Sequence, residues 1–117
     1  MKALDQLFGY LLILGGIGHG MGAYSAYRNQ PMILLWGLSA SFAVCLLAAI
    51  NLLRAARGRD RALAWISFAG CLVWIGFVLW FGLLIRNIFD FRPLGNLIIT
   101  LVLAIFSLRS ALRSHPE

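Results

Sequence analysis

The sequence predicts an all-α membrane protein, a compact antiparallel bundle of four transmembrane helices. Three observations predict it. The 117-residue chain is 62% hydrophobic and only 12% charged, where a soluble domain carries about a quarter charged residues. Its apolar residues fall in four blocks of roughly spanning length that fill nearly the whole chain,. Its arginines gather in the short segments between those blocks and at their ends. Residues 1–117 therefore read as a single four-helix transmembrane domain.

Helix one is placed at about Leu7 to Tyr27. Its 21 residues reach ~31 Å at the α-helical rise, enough for a hydrocarbon core of ~30 Å. Lys2 ahead of an apolar run resembles a secretory signal. The run is too long for a usual signal core, however, and no convincing cleavage site precedes the next span, so a retained helix is expected,. After "RNQP", Pro31 is suited to open helix two, where its missing N–H costs little,. That helix is placed at about Met32 to Leu53.

The loop "RAARGRDR" is the most basic piece of the chain, and Asp60 is the expected N-cap of helix three, about Ala62 to Ile85,. "RNIFDFRP" then turns the chain, and Pro93 is expected to open helix four. Helix four is placed at about 94–112. Its apolar core, Leu94 to Leu108, reaches only ~22 Å, so it spans if Arg109 snorkels or the bilayer thins, and a re-entrant hairpin is the alternative,.

Arginine and lysine counts set an expected orientation. The side with the termini and loop two holds Lys2, Arg54, Arg57, Arg59, Arg61, Arg109 and Arg113, and the other holds Arg28, Arg86 and Arg92. Both termini are thus expected in the cytoplasm, most naturally of a bacterial inner membrane. Trp65 falls near the inner surface, and Tyr24, Tyr27, Trp36 and Trp80 toward the outer one. The net charge of +6 is explained by topology and phospholipid contact, and no nucleic-acid partner is expected. An offset of 55 residues aligns Gly15 with Gly70, Ala49 with Ala104 and Arg54 with Arg109. A duplicated helix pair or chance would each produce that echo.

The helical period sorts faces. On helix one, Gly15, Gly16, His19, Gly22, Ala23 and Ala26 share a small-residue side, against Tyr10, Ile13, Leu14, Ile17, Met21 and Tyr24. Gly16 with Gly20, and Gly18 with Gly22, have the GxxxG spacing that lets membrane helices approach closely,. On helix two, Gly37, Ala40, Ser41, Cys45, Ala48 and Asn51 form a small, mildly polar face. Helix three aligns Ala64, Ser67, Cys71, Trp74, Val78 and Gly82, and helix four aligns Asn96, Thr100, Leu103 and Ser107. Gly15, Gly16, Gly20, Gly22, Gly37, Ser41 and Cys45 are the expected packing residues. His19, Asn51, Ser67, Trp74 and Thr100 are the expected intramembrane polar set.

Asp5, Asp60, Asp90 and Glu117 fall at ends and loops, so no carboxylate is expected within a span. The chain is similar in size to the small multidrug resistance transporters but lacks their helix-one glutamate. The four-span fluoride channels' phenylalanine–serine–threonine signature is replaced here by "FAGCLVWIGF". One histidine in the spans, two buried cysteines and scattered serines make no catalytic triad. The "GGIG" glycines sit mid-helix and cannot cradle phosphate. Cys45 and Cys71 have no metal-ligand spacing, and as buried cysteines they behave as small hydrophobes. No enzymatic activity, catalytic residue, metal or resident cofactor is expected.

His19 is the one candidate ligand, since an ionisable side chain deep in a span is a functional hypothesis by default. It has three uses. It can bond another helix as a neutral ring, bind a b-type haem shared across a dimer, or handle protons or ions in a dimeric transporter or channel. Lipid or quinone binding beside Trp74 is a further alternative. The main expectation is a structural or accessory membrane component, held in the lipid bilayer within a homo-oligomer or a larger membrane complex.

Overall fold

The computed structural model describes residues 1–113, and Glu117 lies outside the described residues. The chain forms four helices in succession: α1 Lys2–Tyr27, α2 Pro31–Ala56, α3 Arg61–Leu84 and α4 Phe91–Leu112. All four are long and apolar enough to cross a membrane. Within α4, 22 residues run unbroken for ~33 Å, so no re-entrant hairpin forms.

The boundaries follow local chemistry. Pro31 occupies the first turn of α2, where it removes no helical hydrogen bond. The Asp60 carboxylate accepts from the Leu63 N–H at 3.0 Å and caps α3. The Asp90 carboxylate accepts from the Arg92 backbone N–H, also at 3.0 Å. This cap starts α4 two residues before Pro93, which takes the third helical position instead of the first. The Arg92 side chain returns to the same carboxylate. That contact holds the Asp90 carboxyl below its ordinary range, with the backbone N–H adding to the effect.

At the end of α3 the chain reverses sharply. The Arg86 N–H donates to the Leu83 carbonyl at 3.1 Å, and the Asn87 N–H donates to Gly82 at 3.0 Å. This closes the helix with Arg86 in the left-handed region, at φ 57°, a position that usually favours glycine. Ile88 folds back so closely that a Cβ on Gly82 would lie 3.0 Å from its Cγ1.

The helices pack as two hairpins. α1 lies along α2 and α3 along α4, while α1–α4 and α2–α3 contacts join the hairpins. The core is a cluster of Leu12, Val44, Leu47, Ala48, Cys71, Leu103 and Ala104. All buried residues of α2 lie between Val44 and Arg54, in the half nearer the chain termini. Large apolar side chains such as Leu14, Met21, Trp36, Phe42, Leu83 and Ile105 are exposed around the bundle.

Candidate functional site

Buried positions on α1 are Asp5, Gly9, Leu12, Gly16, Gly20 and Ala23. Their spacings of three and four residues define one helical stripe. This stripe, and not the small-residue side drawn through His19, faces α2. The two directions differ by roughly 60° at ~100° per residue. Backbone proximity fixes the choice. A Cβ on Gly16 would lie 2.6 Å from Cys45 Sγ and 2.7 Å from Val44 Cγ1, and one on Gly20 would lie 2.7 Å from Ser41 Oγ. Ser41 Oγ donates to the Gly16 carbonyl at 2.6 Å, and Cys45 Sγ points to the Ile13 carbonyl at 3.9 Å. Gly37 answers from α2, where a Cβ would meet Ala23 Cβ at 2.8 Å.

The residues left off this stripe have a different setting. His19 is exposed, as are Gly22 and Ala26. An added Cβ on Gly18 or Gly22 would find nothing within 4 Å, and on Gly15 only Asn96 Oδ1, at 3.9 Å. The expected groove around His19 is therefore an open flank of α1 that no helix among the described residues fills.

The polar side chains converge elsewhere, toward the terminal end. α1 begins at Lys2, five residues before the expected start. Asp5 therefore lies inside the helix, in its first turn, and not ahead of it. Asp5 is 7% exposed and Arg54 only 1%. They form a two-pronged ion pair, with Arg54 Nη2 donating to Asp5 Oδ1 at 2.7 Å and Nη1 to Oδ2 at 2.8 Å. This parallel geometry is the strong form of arginine–carboxylate pairing.

Around the pair the network reaches every helix. Arg54 Nη2 also donates to Asn51 Oδ1 at 3.1 Å, and Ser107 Oγ of α4 donates to the same oxygen at 3.0 Å. Asn51 Nδ2 donates to the Leu47 carbonyl at 3.0 Å and approaches Cys71 Sγ of α3 at 3.5 Å. Arg54 Nη1 reaches Ser110 Oγ at a long 3.4 Å. Arg61 Nε donates to the Ala111 carbonyl at 3.2 Å, a tie within the α3–α4 hairpin. Arg54 Nε is buried without a hydrogen-bond partner.

Asn51 thus stands at the centre of the buried polar cluster. Thr100 is fully buried, but its hydroxyl donates to the Asn96 carbonyl one turn back, at 2.7 Å. Ser67 is fully buried with an unpartnered hydroxyl, and the half-buried Trp74 has a buried, unpartnered indole N–H. His19 is fourteen residues from Asp5, ~21 Å along the helix, and takes no part in the cluster. Among the described residues, no three His, Cys, Asp or Glu side chains gather to hold a metal ion.

The arrangement ties helices together and has no nucleophile set beside a base. The Cys71 thiol adjoins an amide, and the carboxylate is taken up by a guanidinium. Sequence reasoning placed Arg54 among the topology-setting arginines and Asp5 in the tail. The missed signal was periodic: Asp5 stands four residues before Gly9 and seven before Leu12, on the same stripe. No family model matches this chain, and neither a curated protein nor a solved structure matches it.

Proposed function

We propose that this protein is a small integral membrane subunit whose role is assembly, and that the His19 flank of α1 docks a second copy of the chain. One observation carries the reading: an ionisable side chain midway along a span is exposed, with open space beside Gly18 and Gly22. Facing lipid, an imidazole would lose its hydrogen-bonding partners, at a cost of several kcal/mol for an unsatisfied polar group. A helix surface against it removes that cost.

A second copy suits the flank chemically. A two-fold axis brings each residue near its own equivalent. Neutral imidazole is both donor and acceptor, so one His19 ring can donate to the other. Glycines at 18 and 22 and alanine at 26 let the backbones approach, which is how helices associate where lipid provides no hydrophobic drive. The charge distribution supports a bacterial inner-membrane setting with cytoplasmic termini.

The test is the mass of the purified protein in neutral detergent. The parent is expected as a dimer, and Gly22→Leu and His19→Leu as monomers of unchanged helicity. A parent that stays monomeric at micelle-saturating protein loading refutes the proposal. Were His19 instead an axial haem ligand, the parent would carry a Soret band that His19→Ala abolishes.

A further inference from the structure

At the terminal end a cavity of about 230 Å³ opens between α1, α2 and α4. Its wall carries four cationic side chains, Lys2, Arg54, Arg109 and Arg113, against one carboxylate, Asp5. Arg54 already holds that carboxylate with both terminal nitrogens, so the remaining cations of the wall face no carboxylate of the wall. Ser110 adds a hydroxyl. Arg109 and Arg113 are exposed and make no ion pair among the described residues, so their guanidinium groups are free to meet a ligand that enters from the membrane surface.

We propose that this cavity binds a phosphate group, carried by the headgroup of an anionic phospholipid. Guanidinium and phosphate match as bidentate partners, and basic pockets between helices at the membrane surface select anionic headgroups. The remaining wall fits the rest of such a molecule. Phe106 and Ala55 line it with apolar atoms, which suit the first carbons of the acyl chains. Free phosphate shares the recognition chemistry but gains nothing from the apolar surface.

The experiment uses the full chain in neutral detergent, with retained ligand read by native mass spectrometry. The probes are phosphatidylglycerol, phosphatidylcholine and inorganic phosphate. Arg109 and Arg113 are exposed and stand outside the Asp5–Arg54 pair, so Arg109→Gln/Arg113→Gln leaves the fold intact. Arg57→Gln/Arg59→Gln removes the same charge from residues that do not line the cavity. Phosphatidylglycerol is expected to bind the parent in preference to phosphatidylcholine. Its affinity should fall about thirty-fold in the 109/113 variant, from two lost basic contacts, and stay within about threefold in the 57/59 variant. Inorganic phosphate that binds the parent alone, competes with phosphatidylglycerol and is lost in the 109/113 variant assigns the site to phosphate itself as ligand. Equal retention by parent and 109/113 variant, or equal losses in both variants, overturns the proposal.

Discussion

Removing Asp5 should cost this small protein a large share of its stability. In Asp5→Ala, Arg54 loses its two shortest hydrogen bonds, at 2.7 and 2.8 Å. What remains is one bond to Asn51 at 3.1 Å and a long one to Ser110, with Nε already unpartnered. Hydrogen bonds to charged groups contribute ~1.5–3 kcal/mol each, so two give ~3–6 kcal/mol. The cost of leaving one partner of a buried pair alone is ~3–5 kcal/mol. The two routes agree, and the adjoining cavity admits water to the orphaned guanidinium, which favours the lower end, ~3 kcal/mol. The assay is reversible unfolding in mixed micelles, followed by helical circular dichroism. Arg54→Met should cost a similar amount through the stranded carboxylate. Asp5→Leu/Arg54→Met should lie within ~2 kcal/mol of the parent, because apolar replacements remove both desolvation costs together. A cost below ~1 kcal/mol for Asp5→Ala, set against the ~3 kcal/mol for a stranded charge, would refute the reasoning. So would a double variant as damaged as the sum of the singles.

Three further outcomes follow from local geometry. Gly16→Ala should destabilise by ~1–3 kcal/mol, as overpacking does, because its Cβ would press on Cys45 and Val44. Two residues on, Gly18→Ala meets open space and should leave the monomer unchanged or up to ~1 kcal/mol more stable through helix propensity. The same micelle titration reads both. Arg86→Gly should stabilise by up to ~1 kcal/mol, since φ 57° is unfavourable for a side chain and free for glycine,. A loss of stability there would show that the arginine side chain matters more than the backbone. Asp90 gives a pH dependence. Its carboxyl is held below the ordinary value by Arg92, so its stabilisation is complete above pH ~3.9 and fades as pH falls through the lower folded value. The stability gap between parent and Asp90→Asn, measured by thermal unfolding, should close in that acid window and stay constant above it.

The sequence made the architecture legible because bilayer thickness, helix rise and hydropathy together leave few alternatives to four helices. The inward faces of α3 and α4 were equally readable. Ala64, Ser67, Cys71, Val78 and Gly82 are all buried, as are Thr100, Leu103 and Ser107. In those helices small and polar residues occur mainly on one side. α1 was harder, because its glycines occupy two sides. Gly16 and Gly20 touch α2 while Gly18 and Gly22 touch nothing, and size alone does not distinguish a filled groove from an open one. The deciding residues were Gly9, Leu12 and Asp5, and Asp5 stood outside the apolar block. A hydropathy boundary at Leu7 discards a carboxylate that the helix keeps, because Arg54 neutralises it. Pairing across 49 residues of sequence leaves no local mark in composition.

The assembly role of the His19 flank is tested most directly by disulfide trapping in membranes. Gly22→Cys places a thiol on the open flank, and Leu14→Cys places one on the exposed apolar side of the same helix. The native Cys71 is buried and Cys45 half-buried between α1 and α2, where thiols are poorly reactive. Rapid dimeric cross-linking of Gly22→Cys on mild oxidation, with little from Leu14→Cys, is the predicted result. Equal trapping at both positions, or none at Gly22→Cys, would contradict the docking of a second copy against His19.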